Sequence, residues 1–283
     1  MNNLILDRRQ FFASAGLAGV GAGVGVATPA WARKTKLRDV SASWPRVQAV
    51  LDDWVTKKKV PGAVASVARG LDQADFMVSG TASFDSKTAM TPDTLFRCYS
   101  MTKTVTGMAA MMLIEDGKIS LDQNIADFLP GFASPRVMID GDKSLDSRPA
   151  AAPIRIRNLL THTAGLGYNI ITKGPLLDAY NQLGINPGQV SRHQLPGQPK
   201  IATAPSLEEF ANRLSTLPLI ADPGRKWSYS VALDLMGRII EVASGMSFDA
   251  FLQKRIFDPL GMTSTFFQVP ASAVARMTTN YVL

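Results

Sequence analysis

The chain carries one cysteine, Cys98, and only two histidines, His162 and His193, in 283 residues. A single cysteine excludes an intramolecular disulfide and any cysteine-built metal cluster. Cys98 lies in the apolar run Leu95–Tyr99 and is expected to be a small buried hydrophobe, not a reactive thiol. The two histidines are not at a helical ligand spacing, so no metal centre is expected, and no motif asks for a cofactor. Long apolar runs are also scarce. The best stretch, Ala13 to Pro29, is rich in glycine and falls short of the roughly 20 strongly apolar residues of a spanning helix, so no stable membrane anchor is expected. The formal net charge is +7, yet Lys and Arg are scattered and Lys57-Lys58-Lys59 is their densest cluster. Without a basic stripe interleaved with aromatics, nucleic acid is not an expected partner, and a solvated basic face is. No internal repeat is visible. What the chain does have is a hydrophobic fraction of 46% against 19% charged, enough for a sizeable core.

The first 32 residues read as an export signal. Arg8-Arg9-Gln10-Phe11-Phe12 is a twin-arginine pair followed by aromatics, and the apolar stretch from Ala13 comes after it. Ala30-Trp31-Ala32 then places small residues where a signal peptidase reads. Asp7 and Ala13 depart from the hydroxyl and basic residues usual in twin-arginine signals. The expectation is a leader at 1–32, a folded part at 33–283, and a periplasmic or secreted destination.

Past the leader, Trp44 to Lys58 has apolar residues at helical spacing, stopped by Pro61-Gly62. Ala63–Ala68 and Phe76–Val78 read as strands around a polar turn, and Leu95–Tyr99 as a strand or buried turn. Thr102 to Asp116 is helical, apolar on most faces, and therefore expected at the centre of a core. Residues 131–153 and 165–205 are rich in Gly, Pro and polar residues and read as long excursions, lids or pocket walls. Helices are expected again over Ser206–Leu217, with a Ser206/Glu209 capping box, over Ala232–Ala243 and over Phe248–Phe257. Strands are expected to cluster early in the chain.

Three segments carry chemistry. Ser100-Met101-Thr102-Lys103 fits S-x-x-K: a serine at a helix start presents its hydroxyl, and a lysine three residues on shares its face. The helix N-terminus favours a developing alkoxide or oxyanion, and an amine of lowered pKa can take the serine proton. With 21 serines and 13 lysines in the chain, about one such pair arises by chance, so its place at an apolar junction before the most apolar helix is what raises it. Tyr229, in Tyr229-Ser230-Val231 after Pro223-Gly224, is either a general base supported by nearby cations or an ordinary interface tyrosine. His162, in Leu159-Leu160-Thr161-His162-Thr163-Ala164-Gly165-Leu166, is open to a triad reading, but a turn held by Thr161 and Thr163 suits it better.

Taken together and in order, these segments resemble the serine β-lactamase and penicillin-binding superfamily, on the side of class C β-lactamases, related D-alanyl-D-alanine carboxypeptidases and family VIII carboxylesterases. Thr94-Leu95-Phe96-Arg97, Asp116-Gly117-Lys118-Ile119-Ser120-Leu121-Asp122 and Pro259-Leu260-Gly261-Met262 extend the likeness over about Ala63 to Phe267. The resemblance implies an α/β, β-lactamase/transpeptidase-like fold, with an antiparallel sheet flanked by helices and an inserted helical domain. It implies Ser100 as acylated nucleophile, Lys103 as its proton partner and Tyr229 as the base shared with Lys103. The substrate would be a small ester, a β-lactam or a peptidoglycan-like peptide; no particular oligomer is implied.

Two departures follow from the same comparison. Val231 stands where β-lactamases of this type have an asparagine, which favours carboxylesterase chemistry over β-lactamase or D-alanyl-D-alanine carboxypeptidase chemistry. The family's third motif, K-T-G, H-x-G or a tryptophan-glycine variant, has no counterpart after Phe267. It normally supplies an oxyanion-hole donor whose loss costs about 10²–10³ in rate. The expectation is therefore a chain truncated at its C-terminus, either a fragment or a truncated gene product, and a catalytically dead remnant is the alternative to an active hydrolase.

Overall fold

Residues 43–70, 74–186 and 203–281 are described by the computed structural model; the leader proposed at 1–32, His193 and most of the second half of the 165–205 excursion lie outside them. The chain divides between Asp93 and Thr94 into two units.

In the first unit, α1 (Pro45–Thr56) starts on a proline, whose missing N–H costs nothing in a first helical turn. It packs on an antiparallel pair, β1 (Gly62–Val67) and β2 (Asp75–Gly80), in register from Gly62 opposite Gly80 to Val67 opposite Asp75. Gly80 ends the pair at φ 77°, against the Pro61 carbonyl, where a Cβ would collide. Met77 is buried beneath the sheet.

The second unit is mainly helical. A 3₁₀ turn (Tyr99–Met101) runs straight into α2 (Thr102–Glu115). Leu95–Tyr99, expected as a strand or buried turn, forms no strand and is mostly not buried. Leu95 alone bridges to Met277, its N–H donating to the Arg276 carbonyl at 2.8 Å. Phe96, Cys98 and Tyr99 are exposed, so the buried cysteine expected from the apolar run is also wrong: alternation never begins, because the chain is already coiling into the 3₁₀ turn. The helix α2 is not all core either. Thr106, Ala109, Ala110 and Leu113 are buried, whereas Met108 and Met111 face solvent.

The central helix is instead α6 (Ala232–Ser244), which packs against α2, α3 (Ile156–Leu160), α5 (Leu207–Ser215) and α7 (Phe248–Leu252). It buries Leu233, Leu235, Met236, Ile239 and Ile240 and ends at Gly245 in the left-handed conformation. A π-helical turn, Gln253–Phe257, continues α7. Ser206 caps α5, accepting from the Glu209 N–H at 3.1 Å, but Glu209 does not reach back; its carboxylate accepts from Arg213 at 2.7 Å. The two excursions carry more structure than expected. Residues 131–153 contain an antiparallel ribbon, β3 (Arg136–Met138) with β4 (Ser147–Pro149), so strands are not confined to the start of the chain. Residues 165–186 contain α4 (Gly174–Leu183), anchored in the core by Leu176 and Tyr180. Ribbon and helix were hidden because long-range burial, not local alternation, supports them. Among the described residues no helix is long and apolar enough to cross a membrane.

Candidate active site

Ser100 is delivered by a tense piece of backbone. Tyr99, just before it, sits at φ 43°, a left-handed conformation that costs a residue with a Cβ about 1–2 kcal/mol. The reward is position: Ser100 is exposed one turn ahead of a 14-residue helix, where the helix dipole favours negative charge. Three residues on, Lys103 returns along the same face, and its Nζ donates to Ser100 Oγ at 3.2 Å.

Tyr229 arrives from the other side, donating its phenol to the same Oγ at 2.8 Å. Its segment is held differently. Residues 162–167 and 220–231 are zipped through the main chain: Ile220 N–H to the Gly165 carbonyl, Gly224 to Thr163, Ser228 to His162 and Val231 to Gly167, all at 2.7–3.1 Å. Gly165 sits at φ 79° with the Ala221 carbonyl where its Cβ would be. The close approach therefore needs glycine.

His162, itself at φ 55°, holds the turn rather than the chemistry. Its Nδ1 accepts from the Ser230 N–H at 3.2 Å and lies 3.1 Å from Ser230 Oγ. Since the N–H can only donate, Nδ1 carries the lone pair and the ring proton sits on Nε2. Burial and then the Lys103 charge push its pKa below the ordinary 6.5. Thr161 and Thr163 are hydrogen-bonded to each other, and the buried Asn158 donates to Thr163, tying the turn to α3. The structural reading of His162 fits; a triad reading does not, as the ring lies tilted against Tyr229 at 4.8 Å between centroids and its Nδ1 is turned to Ser230, while the side chains bonded to Ser100 Oγ are Lys103 and Tyr229.

Burial alone would raise the Tyr229 phenol, but its hydrogen bonds to Ser100 and Lys103, with the lysine charge, outweigh burial and hold it below the ordinary 10.0. The Lys103 ammonium lies between two aromatic faces, 5.0 Å from the Tyr229 centroid and 5.8 Å from that of Tyr168, within cation–π range. The three side chains singled out from sequence thus converge on one oxygen. Two neighbours were missed. Tyr168, three residues past Gly165, was read as part of an excursion. Asp234, in the first turn of α6, was passed over although an acidic residue inside Ala-Leu-Asp-Leu-Met is itself a signal. Burial pushes its carboxyl up to about 6, with the Lys103 charge opposing. Among the described residues no group of histidine, cysteine, aspartate and glutamate is placed to hold a metal ion.

Residues 46–282 match the sequence family described as Beta-lactamase. The chain belongs to the Beta-lactamase family. Esterase EstB of Burkholderia gladioli is 33% identical over 229 residues, which are 81% of this chain and 53% of that protein. Among solved structures, EstCE1, described as a hydrolase with promiscuous acyltransferase activity, superposes with a TM-score of 0.66 at 31% identity, covering 86% of this chain and 57% of the other. Simvastatin synthase of Aspergillus terreus gives 0.64 at 27% identity, covering 83% and 56%. The fold is thus the β-lactamase/transpeptidase-like one expected from the ordered motifs, and the chain spans about half the length of the curated relatives it matches. Against that family frame Val231 is informative: its side chain is fully buried in the core at the head of α6.

Proposed function

We propose that this protein is an exported serine hydrolase of carboxylesterase type, forming an acyl-enzyme at Ser100. The observation that carries the reading is the double donation onto one nucleophile oxygen, from Lys103 at 3.2 Å and Tyr229 at 2.8 Å. Ser100 Oγ attacks the ester carbonyl carbon while its proton passes to the Lys103–Tyr229 pair. The tetrahedral oxyanion develops at the start of α2, whose dipole opposes its charge. Collapse breaks the bond to the alcohol oxygen, which leaves with a proton from the same pair. Water, or a second alcohol, then takes the acyl group from Ser100. Esterase EstB and the acyltransferase activity described for EstCE1 support an ester as acyl donor. The Arg8-Arg9 leader supports export to the periplasm or beyond.

A β-lactamase or D-alanyl-D-alanine carboxypeptidase is the second reading, favoured by the family match itself. The buried Val231 weighs against it, because a valine turned into the core offers a β-lactam side chain no hydrogen bond. The test treats the full chain and Ser100→Ala with a fluorophosphonate, locates the adduct by peptide mass, and compares turnover of p-nitrophenyl butyrate, a cephalosporin and a D-Ala-D-Ala peptide. A Ser100 adduct with the ester turned over fastest supports the proposal. Faster cephalosporin or peptide turnover replaces it with the second reading, and absence of any Ser100 adduct leaves a non-catalytic protein.

A further inference from the structure

Acyl transfer as written above uses Ser100, Lys103 and Tyr229 and leaves Tyr168 without a part. Its ring nevertheless meets two of those three side chains. The Tyr168 and Tyr229 ring centroids are 5.5 Å apart at an interplanar angle of 60°. Lys103 Nζ lies 5.8 Å from the first centroid and 5.0 Å from the second. Three nearly equal separations put the nitrogen in the corner between the two rings, with Ser100 Oγ 3.2 Å away. A lysine head is a compact charge on a flexible stem. Among the described residues no carboxylate pairs with Lys103 to fix it.

The backbone that carries Tyr168 is pinned on both sides. Gly167 donates its N–H to the buried Tyr180 hydroxyl at 3.1 Å, and its carbonyl accepts from the Val231 N–H at 3.1 Å. The Tyr168 N–H donates to Thr172 Oγ1 at 2.8 Å, and its carbonyl accepts from the Ile171 and Thr172 N–H groups at 3.0 and 2.8 Å. This turn does not serve to bury the residues at its tip, since Ile170 and Ile171 are exposed. What it fixes is the ring that precedes them, half-buried against the core. Among the described residues the Tyr168 hydroxyl makes no hydrogen bond. Burial raises that phenol above the ordinary 10.0, so it stays neutral.

We propose that Tyr168 is a positioning residue for acyl transfer at Ser100, acting through the face of its ring and not through its hydroxyl: with Tyr229 it forms the corner that keeps Lys103 Nζ on Ser100 Oγ. The inference rests on the acyl-enzyme reading for its kinetic part only. An aromatic face attracts a cation through its quadrupole and takes no proton from it. The ring can therefore hold the nitrogen within reach of the serine without competing for the proton that the two exchange. A carboxylate in its place would accept charge-assisted hydrogen bonds from the same ammonium and draw its donors away from Ser100.

The test compares the full chain as wild type, Tyr168→Leu, Tyr168→Met and Tyr168→Phe by two readouts mapped by peptide mass. One is the rate of Ser100 phosphonylation by a fluorophosphonate; the other is the rate at which Lys103 is reductively methylated by formaldehyde and a borane. Both are read at a temperature where melting curves show every variant folded. In the two ringless variants phosphonylation slows about tenfold, and Lys103 is methylated faster while the other lysines keep their wild-type rates. Tyr168→Phe, which restores the ring without the hydroxyl, recovers most of both effects. An equal loss in Tyr168→Phe and Tyr168→Leu assigns the effect to the hydroxyl and overturns the proposal. Slower phosphonylation with Lys103 methylation unmoved also overturns it, since a ring that only packs would give that result, as do wild-type rates in the ringless variants. If wild type shows no Ser100 adduct yet Lys103 methylation still depends on the ring, the corner stands and the hydrolase reading is what fails.

Discussion

Ser100 and Tyr229 meet within 2.8 Å, but the backbones that bring them there are built on opposite plans. Ser100 rides a short, exposed 3₁₀ turn with a non-glycine residue at φ 43° beside it and exposed Phe96, Cys98, Tyr99 and Met101 around it. Tyr229 rides a segment stitched by four main-chain hydrogen bonds to residues 162–167, with His162 closing on Ser230 and Val231 buried at the head of the central helix. Ser100 is held by strain and exposure, Tyr229 by redundancy. Variants in the stitched segment should therefore cost stability and activity together. Variants in the strained turn should trade one for the other.

The comparison breaks most visibly at Gly165. Adding a Cβ there meets both an unfavourable φ of 79° and the Ala221 carbonyl. Gly165→Ala is expected to lower stability by about 2–4 kcal/mol and to loosen the turn that aims Tyr229. Chemical denaturation checks the first expectation; the rate of Ser100 modification, measured under conditions where the variant is still folded, checks the second. Unchanged stability would mean that the two strands of the zipper separate at little cost.

How legible these two regions were in the sequence also differs. The Ser100–Lys103 spacing, the helix after it and the helix after Tyr229 all follow from local rules, a three-residue step and apolar periodicity, and each is where those rules put it. Tyr229 and His162 were found as residues, with the structural role of His162 read from its threonine neighbours. The zipper between 162–167 and 220–231 was not legible, since it joins main-chain groups some sixty residues apart and leaves no periodic trace in either. The run Leu95–Tyr99, exposed at Phe96, Cys98 and Tyr99, misled for the opposite reason. Its composition says strand, and a backbone conformation that composition does not encode turns it into a 3₁₀ entry to α2. Asp234 shows a third case, a charge whose meaning depends on what α2 places against it.

The middle-sized effect is a matter of pH. His162 has its pKa lowered by burial and by Lys103, so between that value and the ordinary 6.5 the unfolded chain binds more protons than the folded one. Its contribution is thus fully present above pH 6.5 and is lost as pH falls through the folded value. Asp234 works the other way. Raised from 3.8 to about 6, it makes the folded chain bind more protons across that interval, and its burial weighs less on stability as pH falls through about 6. In wild type the two slopes oppose. His162→Asn, which tolerates a left-handed φ and takes up no proton, should leave the Asp234 slope alone, so that its melting temperature rises on acidification from pH 7 towards pH 5 relative to wild type. At pH 8 the variant should be less stable by about 1 kcal/mol, from the weakened bond to the Ser230 N–H.

The smallest effect sharpens the other half of the comparison. Tyr99 is 52% exposed, so its replacement removes little packing, and glycine at φ 43° relieves the left-handed strain while adding freedom to the unfolded chain. These terms nearly cancel, and Tyr99→Gly is expected to change stability by less than about 1 kcal/mol, in the stabilising direction if strain dominates. The rate should tell more than the stability. If strain is what fixes Ser100 Oγ under the two donors, a glycine that can also adopt ordinary helical angles lets the hydroxyl wander, and the Ser100 modification rate falls while melting holds. If rate and melting both stay at wild-type values, the turn is positioned by α2 alone, and the left-handed residue before Ser100 is a consequence of the chain's path into the helix and not a device for aiming its hydroxyl.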